Sequence, residues 1–374
     1  MYSYLIRYDE IFLKSSAVRR LFERTLINNI KRTCGKVEIK KIDGRIVVFG
    51  EENLEKNLGK IFGIVSFSPV EILETVELEE ILKYCSKFND VLPKNCTFAV
   101  RVKKVGGGPS SLEIAAKIGN LIKRKVDLEN PDFEIQIEIR DKHTFIYQKI
   151  IPGLGGLPVG VSGKVLCLIS GGIDSPVAAW LAMKRGCLVD FIHFHSFPIV
   201  SKKSIDKTKS LIKILKEYNG CKESICFFVP FGDIQIYLRT KVDPKYLIVL
   251  YRRAMLKIAS EIAKKYGYLA LVTGENLAQV SSQTLENLTV IQESIKIPIL
   301  RPLLTFDKKE IIETARKIGT YETSIIPQED CCTLFTPKHS SAKVNLEKVK
   351  EFEKKTQINK LIKKTVKQVS LENI

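Results

Sequence analysis

The stretch KVLCLISGGIDSPVAAW, residues 164–180, sets the reading of the whole chain. Val165 to Ile169 is an unbroken apolar run, the pattern of a strand buried on both faces of a parallel sheet. Ser170-Gly171-Gly172 follows, where missing Cβ atoms allow a tight turn. Pro176 falls where a first helical turn begins, and its absent N–H costs nothing there. Val177 to Arg185 continues as a helix, with Gly186 placed as its C-terminal cap. A strand, a glycine turn and a helix start in succession make an anion site, because free backbone N–H groups and the helix dipole converge on the loop.

The loop lacks the lysine and hydroxyl residue that end a Walker A motif; Ile173, Asp174 and Ser175 stand there instead. SGGIDS resembles the PP-loop of ATP pyrophosphatases, which split ATP between its α and β phosphates and transfer AMP to a substrate oxygen. The resemblance implies that Ser170, Gly171, Gly172 and Ser175 hold the pyrophosphate. It also implies that Asp174 positions Mg²⁺, a hard cation suited to carboxylate and phosphate oxygens. An ordinary glycine-rich βα turn is the plainer reading of the same six residues.

Outward from this loop, 374 residues exceed what one core usually holds, so two or three domains are expected. Sixty Lys and Arg against 42 Asp and Glu give a net charge of +18, which selects a polyanionic partner, nucleic acid ahead of a membrane surface. A lysine-rich background composition would give the same sum. The opening MYSYLIRYDE has no cationic-then-apolar signal segment, and no apolar run reaches membrane-spanning length. A cytoplasmic protein without a membrane partner is expected. The nine cysteines show no framework spacing, and Cys167 lies inside an apolar strand pattern, which suits buried, inert thiols in a reducing compartment.

Residues 1–70 read as βαββαβ, the order of a ferredoxin-like fold, with Asp43-Gly44 as a hairpin turn. No residue there has an evident chemical task. A second α/β unit spans 71–151, with helices over Leu78–Phe88 and Leu112–Arg124 and strands over Thr97–Val102, Phe133–Ile139 and Thr144–Ile150. Its basic residues Arg101, Lys103 and Lys104 lead into a Gly106-Gly107-Gly108-Pro109 loop, and Lys123-Arg124 form a second cluster. Such a pattern suits backbone contacts to a folded RNA; a solvated helix face and loop is the bland equivalent. Residues 152–163, rich in glycine and proline, read as a linker. From 164 to 374 strands and helices alternate, which means a doubly wound parallel sheet with ligands beyond the carboxyl ends of its strands. SGGIDS, His193 and Thr273-Gly274-Glu275 all fall at such ends. The lysine-rich tail from Lys338 carries helical patches over Val344–Phe352 and Ile358–Val366, expected to pack on the nucleotide domain or frame a substrate groove.

Several stretches together resemble the tRNA 4-thiouridine synthetases: GLGGLPVGVSGKVLCLISGGIDSPVAAWLAMKRG, HFHSFP, TGENLAQVSSQTLENL, RPLLTFDKKEII and EDCCTLFTP. The resemblance implies an N-terminal ferredoxin-like domain, a THUMP domain and a PP-loop ATP pyrophosphatase domain. It implies adenylation of O4 of the uridine at the eighth tRNA position, followed by replacement of that oxygen with sulfur. ATP and Mg²⁺ are the implied cofactors and tRNA the implied partner. Leu168, Ile169, His193, Phe194, Arg252, Gly274 and Gln283 fall on the family's ATP positions, beside the loop residues already named. Lys308 matches a family lysine expected to neutralise phosphate charge in the transition state, with Lys309 as the competing candidate. Cys331 matches a cysteine of sulfur transfer, through a persulfide or a disulfide, with Cys332 one residue on.

Many members of that family carry a rhodanese-like domain after this point, which the sequence to Ile374 does not show. A cysteine desulfurase delivering persulfide is therefore the expected sulfur donor, and a homodimer is expected by analogy. A PP-loop ligase of small molecules is the alternative that SGGIDS alone would permit. The charge and the two appended α/β units weigh against it.

Overall fold

The computed structural model describes residues 2–220, 223–327 and 341–374. Two compact units divide between Gly156 and Leu157.

The first unit holds two sheets. β1 (Tyr2–Arg7), α1 (Ser16–Cys34), β2 (Val37–Ile42), β3 (Arg45–Gly50), α2 (Glu55–Leu58) and β4 (Ser66–Pro69) follow the βαββαβ order expected. The antiparallel sheet runs β4-β1-β3-β2, and α1 covers it with Glu23, Leu26, Asn29 and Ile30, residues spaced three and one apart along one helical face. The second sheet collects β5 (Glu71–Leu73), β6 (Thr97–Lys104), β7 (Lys125–Val126), β8 (Phe133–Ile139) and β9 (Thr144–Tyr147) in the order β5-β9-β8-β6-β7. Helices α3 (Leu78–Cys85), α4 (Phe88–Val91) and α5 (Ser111–Leu121) complete this part. A core of Ile81, Phe98, Ile114, Ile118, Ile135 and Ile137 lies between helices and sheet.

Charged groups clasp the two sheets. The Asp43 carboxylate, in the β2–β3 turn, accepts hydrogen bonds from the backbone N–H of Lys142 (3.0 Å) and His143 (3.1 Å). Glu138 on β8 accepts from Arg45 at 2.8 and 2.5 Å and from Arg140 at 2.5 Å. Burial alone would raise the Glu138 pKa, but Arg45 and then Arg140 more than offset it and hold the carboxyl below its ordinary range.

The second unit is a six-stranded sheet in the order β15-β14-β11-β12-β13-β16, with β11 (Lys164–Leu168), β12 (Leu188–His195), β13 (Ile225–Pro230), β14 (Ala270–Val272), β15 (Ile299–Leu300) and β16 (Ser370–Asn373). The first five are parallel to one another. Connections run outward from β11 to β13 and then return past it to β14, so the order reverses between β11 and β14. Ligands bind at such a switch point. Helices α6 (Asp174–Lys184), α7 (Lys203–Lys216), α8 (Gly232–Lys241), α9 (Leu247–Tyr266), α10 (Leu285–Gln292), α11 (Lys308–Lys317) and α12 (Tyr321–Ser324) supply the crossovers and flanks. α13 (Leu346–Lys355) and α14 (Ile358–Val366) bring Val349, Ile358 and Ile362 into the core shared by α9 and the sheet. The tail therefore packs on the nucleotide domain.

Some expectations are corrected. The helix after SGGIDS starts at Asp174, which puts Pro176 third in it, still within the first turn where no N–H partner is needed. α5 ends at Leu121, so Lys123 and Arg124 lie beyond it and not on a basic helix. The 152–163 stretch contains the division between the units, and residues on either side of that division are packed. Ile151–Pro152 forms β10, paired with β4, and Gly153 lies so close that a Cβ would stand 2.2 Å from the Ile64 carbonyl oxygen. Farther on, Leu157 and Val159 are buried, and Gly160 N donates to Gly186 O at 2.8 Å. Glycine here serves close backbone packing. Neither α8 nor the antiparallel β16 was expected; the sheet is mixed at that edge.

Candidate active site

β11 delivers the chain to the switch point and the loop then closes on itself. Ser175 Oγ accepts from Ser170 N at 2.8 Å and donates to Ser170 O at 3.2 Å, while Gly172 N donates to Ser170 Oγ at 3.3 Å. This clasp fixes the turn that opens α6. The loop after β14 packs directly onto it. A Cβ on Gly274 would fall 2.8 Å from Ser175 N and 2.9 Å from Asp174 C, so only glycine fits. Gly274 thus lines the cleft and at the same time lets the loop after β14 close on the backbone that opens α6.

One cleft collects most of the expected nucleotide positions: Leu168, Ile169, Ser170, Gly172, Ser175, His193, Phe194, Arg252, Gly274 and Gln283 line it, with Asp174. Gly171 is not among the lining residues. His193 is buried, and its Nδ1 lies 3.0 Å from Ile169 O and 3.3 Å from Thr208 Oγ1, so it ties β12 to the start of the loop. Gln283 is 6% exposed, and among the described residues its buried Oε1 has no hydrogen-bond partner. The neighbouring His195 is held down to about 4 by burial and then by His193, and its ring Nδ1 takes the Phe197 N–H at 3.3 Å.

Asp174 and Lys308, far apart in sequence, meet: Lys308 Nζ stands 2.5 Å from Asp174 Oδ1, and Gln279 Nε2 donates to Asp174 Oδ2 at 3.1 Å. Lys308 is presented by the first residue of α11, whose capping box joins Asp307 and Glu310. Lys309 faces away, 87% exposed and 3.9 Å from Glu313. The competing lysine is thus outside the site.

Thr273 and Glu275, placed by the sequence at a ligand-facing strand end, complete the wall together with Met255, Leu256 and Ile291, which the sequence reading does not name. Glu275 Oε1 accepts from Arg252 at 2.7 Å, and its Oε2 accepts from Arg301 at 2.6 Å and Thr273 Oγ1 at 3.0 Å. The sequence places Glu275 at a strand end on the ligand side, with no role or partner assigned to it. The signal that could have found it is a carboxylate beside a strand-end glycine with arginines following other strand and helix positions, since a buried charge needs partners.

The basic residues of the first unit divide. Arg124 donates to the carbonyls of Pro93, Lys123, Asn89 and Leu92, and Arg101 to Glu134 and Leu128 O. Lys104 Nζ reaches Gly107 O (2.5 Å) and Pro109 O (3.2 Å), bracing the glycine loop. Lys103 and Lys123 are exposed. Cys331 and Cys332 lie outside the described residues. Of the described cysteines, Cys85, Cys96, Cys167, Cys187 and Cys226 are buried and Cys34 half-buried, and burial pushes the Cys85 thiol up to about 12. These are inert thiols. Among the described residues, no helix is long and apolar enough to cross a membrane.

Residues 160–358 match the family model described as Thiamine biosynthesis protein (ThiI). Residues 3–68 match the ThiI ferredoxin-like domain and 77–148 the THUMP domain. A probable tRNA sulfurtransferase of Caldanaerobacter subterraneus is 43% identical over 96% of this chain and 96% of its own. One from Staphylococcus aureus is 37% identical, over 98% and 92%. Among solved structures, a 4-thiouridine synthetase in complex with RNA and bound ATP superimposes with a TM-score of 0.90 at 36% identity, covering 100% of both chains. With three domain models matched in order and relatives alike over nearly the full length, the chain belongs to the ThiI family.

Proposed function

We propose that this chain is an ATP-dependent tRNA sulfurtransferase that makes 4-thiouridine at the eighth tRNA position. The observation that carries the reading is the meeting of Asp174 and Lys308 over a clasped SGGIDS loop at the switch point of the sheet. Backbone N–H groups of the loop and the start of α6 receive pyrophosphate. Arg252 offers phosphate the guanidinium donors that it does not spend on Glu275. Gln283, in the wall of the same cleft, belongs to the nucleotide positions in this reading.

The reaction assigned is attack of uridine O4 on the α-phosphorus, with pyrophosphate as the leaving group. A sulfur nucleophile then attacks C4 and AMP departs with the former O4. Lys308 neutralises phosphate charge as it builds. The residues fit Mg²⁺, which is held by one or two carboxylates together with substrate phosphates; Asp174 would supply the carboxylate, exchanging Lys308 for the metal. When bound, the cation supplies charge neutralisation on the phosphates. Cys331 is assigned the thiol of sulfur transfer, and a cysteine desulfurase the supply of persulfide. Two chains acting together would let the RNA-binding unit of one serve the cleft of the other, and sedimentation with tRNA measures that stoichiometry.

The test is nucleoside analysis of tRNA incubated with the protein, Mg-ATP, a desulfurase and cysteine. The wild type should form 4-thiouridine, and Asp174→Ala and Cys331→Ser should not. Formation by Cys331→Ser would remove that cysteine from the pathway. AMP formation on a small molecule without tRNA would overturn the reading.

A further inference from the structure

Nothing in the reaction as assigned uses Glu275, yet it is among the most heavily bonded side chains of the cleft. It follows β14 in Thr273-Gly274-Glu275-Asn276, and its side chain is 8% exposed. Both carboxylate oxygens are occupied. Oε1 takes Arg252 of α9 at 2.7 Å; Oε2 takes Arg301, just beyond β15, at 2.6 Å and Thr273 Oγ1 at 3.0 Å. Arg301 is anchored in turn by Gln292 of α10, at 3.0 Å. One carboxylate thus joins two helices and two strand ends around the switch point.

We infer that Glu275 is a positioning residue, which fixes the Arg252 guanidinium at the cleft so that its remaining donors face the nucleotide. The inference rests on the phosphate reading of Arg252 given above. Three considerations support it. Two guanidinium groups against one carboxylate leave one positive charge over, which an anionic ligand can satisfy. Among the described residues Arg252 hydrogen-bonds to Glu275 through one of its five donors, which leaves the rest of its fork for a ligand. An arginine held in one geometry loses less freedom when it captures a phosphate than a loose one does. A metal-ligand role for Glu275 fits less well, because three donors already fill most of its lone-pair directions.

The full-length protein tests this through a double-mutant cycle on the KM for ATP, with kcat, melting temperature and Mg²⁺ dependence read alongside. Arg252→Ala should raise the KM for ATP about tenfold. Glu275→Gln keeps the shape but loses the charge, and should raise it about fivefold to tenfold, with kcat changing less. The double variant should be no more than about twofold worse than Arg252→Ala alone, because residues acting through one another are not additive. Glu275→Asp should recover part of the loss. Effects that multiply in the double variant, or a Glu275→Gln protein with wild-type KM, would overturn the inference. So would a Glu275→Gln loss reversed by raising Mg²⁺, which would make the carboxylate a metal ligand. Arg252→Ala without effect on ATP would sink the phosphate reading and this inference with it. Should Glu275→Gln fail to fold, Thr273→Val removes one donor and leaves both ion pairs; a rise of about twofold in KM supports the inference and none overturns it.

Discussion

Glu138 and Glu275 present the same arrangement in two different units: a buried carboxylate between two arginines. At Glu138 the side chain is 3% exposed, with Arg45 and Arg140 at 18% and 22%. Every element of that cluster belongs to the clasp between the two sheets of the first unit, and Arg45 spends two donors on one oxygen. At Glu275 the carboxylate lies in the wall of a cleft, and Arg252 spends one. The chemistry of the groups is alike, and what differs is where the cluster stands and how firmly its arginine is tied. An arginine held by one bond in a cleft wall can turn donors to a ligand; a carboxylate gripped twice by one arginine between two sheets makes a joint.

The largest effect that sharpens this contrast is at Lys308, the exposed partner of Asp174. Lys308→Met should lower 4-thiouridine formation about 10²- to 10³-fold, read by nucleoside analysis, with the KM for ATP within about threefold of wild type. Lys309→Met should change neither. At the joint, Glu138→Gln should cost about 2–4 kcal/mol in urea unfolding, since it leaves two arginines without their counter-charge. The same variant should keep the wild-type KM for ATP; a raised KM would break the contrast.

A third outcome concerns protons. His195 stays neutral in the folded chain down to about pH 4, whereas an unfolded histidine takes its proton near pH 6.5. Between these values the unfolded state binds more protons, so stability falls as pH falls through the window and is untouched above it. The loss should reach about 2 kcal/mol by pH 5. His195→Asn, which keeps an acceptor for the Phe197 N–H, should flatten that slope in unfolding curves taken from pH 7 to 5. The smallest effects belong to the exposed lysines of the first unit. Lys103→Ala and Lys123→Ala should each weaken tRNA binding about threefold and lower the salt slope by about one. Arg124→Ala should act on stability instead, because four carbonyls lose their donor.

The sequence was most legible where local chemistry leaves few choices. An apolar strand, SGGIDS and a helix, or Asp43-Gly44 between alternating strands, mean the same thing in almost any context. It was least legible where tertiary contacts decide. β16, with the sequence Ser370-Leu371-Glu372-Asn373, has no alternation to read, and all four residues are exposed. It is a strand because β13 offers it an edge. Lys123 and Arg124 looked like one basic cluster; only the fold shows that one is spent on carbonyls and the other is not. The site divides the same way. Asp174 and Lys308 could be named from motifs, while the Glu275 cluster depends on three segments meeting at the switch point.

That edge has a bearing on self-association. β13, Ile225-Cys226-Phe227-Phe228-Val229-Pro230, is an apolar strand, and without a neighbour its outer N–H and C=O groups would be a template for a strand from another molecule. β16 occupies the position in antiparallel register, and Ile374 and Ser224 close the ladder with hydrogen bonds of 2.9 and 3.3 Å. Four exposed residues thereby act as a bolt: their outward side chains meet water while their backbone closes an edge that would otherwise invite pairing between molecules.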